Sequence, residues 1–126
     1  MSLRIFIVED EMINALSLKK ELLREGYQVC GMAAHSAAAV AGVTENLPDL
    51  VLMDLTMPRM DGREAFQAIH DLDPGVPVVL SSGFSEQDSL RTLSGHGPAA
   101  FMQKPYRIKE LRELLQRLLE KGPSSS

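Results

Sequence analysis

The sequence predicts an α/β domain in which a doubly wound, five-stranded parallel sheet carries helices on both faces. Two observations point to it. Short apolar runs alternate five times with longer stretches of helical period, the pattern of repeated β-α units joined by right-handed crossovers. The runs themselves, such as Ile5-Phe6-Ile7-Val8 and Leu50-Val51-Leu52-Met53, are apolar at every position, as strands covered on both faces are. At 126 residues the chain suits one domain with one packed core.

The first strand is predicted over 3–8 and the first helix over 12–25, ended by Gly26. A second strand over 27–33 leads to a helix over 36–46. The third strand, 49–53, follows Pro48, and a helix over 62–70 begins at Gly62. Pro74-Gly75 turns the chain into a strand over 76–81. A helix over 86–94, a strand over 99–102 and a last helix over 107–120 complete the series. Gly and Pro punctuate the segments as turn residues do.

Two helices carry informative stripes. In the last, Ile108, Leu111, Leu114, Leu115, Leu118 and Leu119 recur at three- and four-residue spacing, a core-facing stripe. In the first, Met12, Ile13, Ala15, Leu16, Leu18, Leu22 and Leu23 spread over roughly 220° at ~100° per residue. Only Asn14, Ser17 and Glu21 form a compact polar stripe. One side of a sheet cannot bury so wide an arc, so the excess is either scattered surface or a partner site.

Charge and composition exclude several classes. Thirteen Lys and Arg against seventeen Asp and Glu leave the chain mildly acidic with no basic stripe, which argues against nucleic acid as a partner. The single cysteine, Cys30, rules out an internal disulfide, fits a reducing compartment and reads as core packing. No apolar stretch suits a bilayer span or a signal peptide, so a soluble, cytoplasmic domain without membrane contact is expected. Residues 1–121 read as the domain and 122–126, ending in three serines, as a disordered tail or linker stub.

Polar residues mark the ends of four apolar runs. Glu9 and Asp10 follow the first strand, Asp54 the third, Ser82 the fourth and Lys104 the fifth. In an open parallel sheet the C-terminal strand ends line one crevice, where such folds bind ligands. Clustered carboxylates repel, and one would have to hold a proton. A divalent cation removes that cost, and a few hard oxygen ligands suit Mg²⁺, with Mn²⁺ as the alternative.

These residues suggest phosphoryl chemistry. A carboxylate accepts a phosphoryl group as an acyl phosphate, and such transfer asks for positioning and charge neutralisation. Asp54 is the expected nucleophile. Asp10 binds the cation directly, Glu9 directly or through water, and Thr56 offers its backbone carbonyl. Lys104 supplies a positive charge and Ser82 a hydroxyl to the phosphoryl oxygens. Singly, each has an ordinary reading: Asp10 a helix cap, Asp54 a loop acid, Ser82 a turn serine, Lys104 a solvated lysine. Together, in this order, they form a motif.

The segments Ile7-Val8-Glu9-Asp10-Glu11, Leu52-Met53-Asp54-Leu55-Thr56-Met57-Pro58-Arg59-Met60-Asp61-Gly62 and Phe101-Met102-Gln103-Lys104-Pro105-Tyr106 resemble the receiver domain of bacterial two-component response regulators. The resemblance spans essentially the whole chain and implies the flavodoxin-like strand order 2-1-3-4-5. It implies phosphorylation of Asp54 by a histidine kinase or histidine phosphotransfer protein. It further implies that Ser82 then moves toward the phosphate while Phe101 rotates inward. That reshapes the face made by the 86–94 helix, the last strand and the last helix. Serine stands where threonine is commoner, and Phe101 where tyrosine is commoner. The run Pro77-Val78-Val79-Leu80-Ser81-Ser82-Gly83-Phe84 is similar to receivers attached to hybrid sensor kinases. His35, His70 and His96 read as exposed polar residues rather than phosphodonors.

Other functions meet specific objections. A phosphatase resembling the haloacid dehalogenase family would carry its nucleophile on the first strand, with a second aspartate two residues on; here position 56 is Thr. A flavin module needs a phosphate cradle after the first strand, where Glu9-Asp10-Glu11 would repel it. A degenerate receiver kept for binding would lack site residues, and all are present. The expectation is therefore a phosphoacceptor signalling domain rather than an enzyme. A homodimer or a partner would use either the face of the 86–94 helix, last strand and last helix, or the first helix.

Overall fold

The computed structural model describes residues 3–54, 62–82, 100–104 and 106–121. Its strands are β1 (Arg4–Val8), β2 (Gln28–Ala33), β3 (Leu50–Asp54), β4 (Val78–Ser82) and β5 (Ala100–Gln103). Its helices are α1 (Met12–Arg24), α2 (Ser36–Asn46), α3 (Gly62–Leu72) and α4 (Ile108–Lys121). The sheet order is β2-β1-β3-β4-β5 with every described pairing parallel. The helix expected over 86–94, and with it Thr56, Phe84, His96 and the 122–126 tail, lies outside the described residues.

Successive strand side chains point to opposite faces, and here both faces are covered. On one, Phe6, Val8, Val51, Met53, Val78 and Leu80 pack with Ala39 and Val43 of α2 and Ala65, Phe66 and Ile69 of α3. On the other, Ile5, Ile7, Leu50, Leu52, Val79 and Met102 pack with Ala15 and Leu22 of α1 and Leu111, Leu114 and Leu115 of α4. Each fully buried side chain of this size contributes about 1.5–3 kcal/mol. Three on α4 alone rival the net stability of a domain, about 5–15 kcal/mol.

Local chemistry explains where elements end. α1 closes with Tyr27 N donating to Leu22 O and Gly26 N to Leu23 O, a paired C-terminal cap that requires the left-handed backbone of Gly26, φ 95°. Tyr27 is thereby tied to the helix, so β2 starts one residue later than expected. β4 likewise starts at Val78 because Val76 N closes a turn onto Asp73 O. Between Ile5 and Phe6 the β1–β2 register slips, and Cys30 is the extra residue. It is half-buried and packs against the first cluster, with its thiol donating to Ile5 O at 3.5 Å. Beside this bulge, a Cβ on Gly31 would stand 2.7 Å from the Phe6 ring, so the absent side chain makes room for Phe6.

The wide apolar arc of α1 is only partly buried. Ala15 and Leu22 are in the core, whereas Met12, Ile13, Leu16 and Leu23 are 63%, 80%, 48% and 49% exposed. His35 is exposed and caps α2, its Nδ1 accepting from Ala38 N at 3.2 Å. His70, near the end of α3, stacks on Phe66.

Candidate functional site

All five strands run the same way, so their C-terminal ends share one edge of the sheet. Asp54 and Ser82 are the last residues of β3 and β4, one position inside the strands rather than beyond them, because Asp54 still pairs with Ser81. Glu9 continues the line of β1, donating its N–H to Ala33 O at 2.9 Å. Lys104, just past β5, donates its N–H to Ser82 O at 2.7 Å.

The structure brings Glu9, Asp54 and Lys104 into one cluster. Lys104 Nζ donates to Asp54 Oδ2 at 2.6 Å and stands 4.0 Å from Glu9 Oε1. Both carboxylates are nearly shielded from solvent, at 9% and 7% exposure. A charge-assisted bond of that length is among the strong ones. Glu9 Oε2 accepts from Glu11 N at 3.2 Å. Even so, burial pushes the Glu9 carboxyl up from 4.5 to about 7, and the charge of Asp54 and a hydrogen bond shared with it push the same way. The Glu11 N–H and the Lys104 ammonium oppose the rise. Near neutrality, then, Glu9 is a carboxylic acid part of the time.

Around this cluster lies a cavity of about 360 Å³. Glu9, Asp54, Ser81, Lys104 and Tyr106 form its polar end, and the Asn14-Ser17-Glu21 stripe of α1 forms one wall. That helix therefore sets its polar stripe against the cavity and leaves apolar residues outside. Asp10 lines an adjoining recess of about 170 Å³ with Met12, Ala15 and Met32, and among the described residues only Glu9 borders both spaces.

Ser82 is fully buried and by strand alternation points to the face of Leu80. Phe101, the register partner of Leu80, is half-buried against the same cluster. The hydroxyl and the ring are thus on one side of the sheet, under the edge that carries Asp54.

Among the described residues no three carboxylate, imidazole or thiolate side chains form a ready metal shell. Mg²⁺ does not require one, since it keeps several waters and is usually held by one or two carboxylates. Glu9 and Asp54 fit that need: they are hard oxygen donors that meet at the one Lys104 ammonium, at a place where a cation would relieve their repulsion.

Two residues of the site were not singled out from the sequence. Ser81 is the register partner of Asp54 and lines the cavity, whereas Ser82 does not. Strand alternation could have shown this, because Ser81 shares the face of Val79. Tyr106 projects into the same cavity, and burial raises its phenol to about 12, with Asp54, Glu9 and Glu21 adding to the rise. Nothing in the sequence distinguishes it from a core aromatic.

The fold has close parallels. The family model described as the response regulator receiver domain matches residues 5–116. The chain is 32% identical over 119 residues to the chemotaxis protein CheY of Bacillus subtilis, covering 94% of this chain and 99% of that protein. A CheY-like receiver domain protein from Methanospirillum hungatei superposes with a TM-score of 0.88 at 27% identity, covering all of both chains. The receiver domain of a sensor histidine kinase from Pseudomonas aeruginosa, solved with a magnesium ion coordinated in its active-site cleft, superposes with a TM-score of 0.84 at 26% identity. That match covers 95% of this chain and 99% of the other.

Proposed function

The chain belongs to the response regulator receiver domain family of two-component systems, and from that premise we propose that it accepts a phosphoryl group on Asp54. The observation that carries this is the Lys104 ammonium 2.6 Å from a buried Asp54 carboxylate. A carboxylate so placed is an oriented nucleophile with a counter-charge at hand.

In the proposed transfer an Asp54 oxygen forms the new bond to phosphorus as the bond from phosphorus to the donor nitrogen breaks. The bonding electrons leave with the donor imidazole. Lys104 moves from the carboxylate to an oxygen of the incoming group, and the Ser82 hydroxyl donates to another. Glu9, Asp10, Asp54 and the backbone carbonyl of Thr56 would hold Mg²⁺, or Mn²⁺ in its place, which when bound neutralises charge on the transferring group. The acyl phosphate then draws Ser82 and Phe101 toward the site and alters the face of β5 and α4.

The donor in this reading is a histidine kinase or histidine phosphotransfer protein, met by the exposed apolar face of α1. A homodimer would instead use the β5–α4 face. Among the described residues no helix is long and apolar enough to cross a membrane; a cytoplasmic domain that signals, rather than turning over an external substrate, is the proposed setting. The test is intact-mass analysis after incubation with a small acyl-phosphate donor. Gain of one phosphoryl group with Mg²⁺ and none with EDTA is expected. No gain under either condition would overturn the proposal.

A further inference from the structure

α1 and α4 cover the same face of the sheet, and the cavity of about 360 Å³ lies between them. Arg112 of α4 ties to Glu25, just past the end of α1, at 2.9 Å. Between that tie and the strand ends, α1 turns Ser17, Leu18 and Glu21 toward the cavity. Leu18 and, from α4, Leu111 are apolar walls, and Leu52, Val79 and Met102 of the sheet are the floor. The cluster of Glu9, Asp54 and Lys104 takes up one end and leaves this part unused.

Glu21 sets this part apart. Glu9 and Asp54 meet the Lys104 ammonium, and Glu25 meets the Arg112 guanidinium. Glu21 is half-buried, and among the described residues its carboxylate has no ion-pair or hydrogen-bond partner. A carboxylate drawn partly out of water without a counter-charge has lost solvation that nothing in the chain returns. Ser17, four residues before it, is its neighbour on the helix surface and offers a hydroxyl oxygen as a second acceptor. We propose that this part of the cavity binds a small organic cation, a primary ammonium on a short apolar body. The ammonium, all donors and no acceptor, meets Glu21 and Ser17, and the body lies on Leu18, Val79, Met102 and Leu111. Three carboxylates against one ammonium among the described lining residues favour a cation over an anion. A volume of about 360 Å³ is at the small end of ligand pockets, about 300–1,000 Å³, which suits a small molecule rather than a peptide. The site stands whether or not Asp54 takes a phosphoryl group.

The test titrates phenethylammonium chloride into the full chain by calorimetry, with phenethyl alcohol and ammonium chloride alongside. Saturable binding of the phenethylammonium ion is expected, with both controls far weaker, since one lacks the charge and the other the apolar body. Glu21→Gln keeps the shape and should weaken binding roughly tenfold, as loss of a hydrogen bond to a charged group does. Glu9→Gln should weaken it less, and Ile13→Lys, on the outer face of α1, should leave it unchanged. No saturable heat would overturn the inference, as would phenethyl alcohol binding as tightly as the ammonium. So would wild-type affinity in Glu21→Gln, a greater loss in Glu9→Gln than in Glu21→Gln, or a loss in Ile13→Lys.

Discussion

Lys104 Nζ lies 2.6 Å from Asp54 Oδ2, across 50 positions of sequence, at a sheet edge where Glu9 stands 4.0 Å from the same nitrogen. One ammonium between two buried carboxylates leaves an excess of negative charge. The protein answers it with a proton on Glu9, raised to about 7.

That proton makes the metal-free domain sensitive to pH. The native Glu9 carboxyl titrates above its ordinary 4.5, so the folded chain binds more protons than the unfolded one. Its contribution is full below 4.5 and is lost as pH rises through about 7. In EDTA, melting temperature should fall over that window, and Glu9→Gln should remove this component of the slope. An unchanged slope in Glu9→Gln would exclude Glu9 as the source.

Leu47, at the end of α2, has φ 48° and is 69% exposed. A left-handed backbone costs a residue with a Cβ roughly 1–2 kcal/mol, and glycine's added chain entropy returns roughly 0.5–1 kcal/mol of that. Leu47→Gly should therefore stabilise the fold by about 0.5–1 kcal/mol in denaturant titration. A destabilised variant would show that the Leu47 side chain packs usefully.

The outer face of α1 should matter to a protein donor and not to a small one. Ile13 is 80% exposed, and a surface change there costs within about 0.5 kcal/mol. Ile13→Lys should leave labelling by a small acyl phosphate unchanged and slow transfer from a histidine phosphotransfer protein severalfold. Equal slowing with both donors would remove α1 as the docking face.

Ser82 and Phe101 face one side of the sheet, and in the proposed switch the hydroxyl links the phosphoryl group to the ring. A ligand shifts an equilibrium only through contacts it makes in one state. Ser82→Ala should still be labelled, while amide exchange across residues 100–104 should stop responding to phosphorylation. A full response in Ser82→Ala would place the link elsewhere.

Much of this was legible in the sequence because buried parallel strands write themselves as unbroken apolar runs. Ile5 to Val8 and Leu50 to Met53 located β1 and β3, and with them the edge carrying Glu9 and Asp54. Boundaries slipped where backbone hydrogen bonds compete: Tyr27 is claimed by the end of α1, and Val76 by a turn onto Asp73. The apolar excess on α1 was readable from its arc, and its exposure follows. What spacing could not show was depth. Asp10 borders a neighbouring recess, Ser81 rather than Ser82 lines the cavity, and Tyr106 reaches that cavity only once the α1–α4 face has closed around it.

The central claim is that Asp54 carries the phosphoryl group. Borohydride reduces an aspartyl phosphate to homoserine, so a labelled sample can be trapped and its peptides sequenced by mass spectrometry. Homoserine at position 54 alone, and none in Asp54→Asn, is the expected result. Homoserine at another aspartate, or equal phosphoryl uptake by Asp54→Asn, would contradict it.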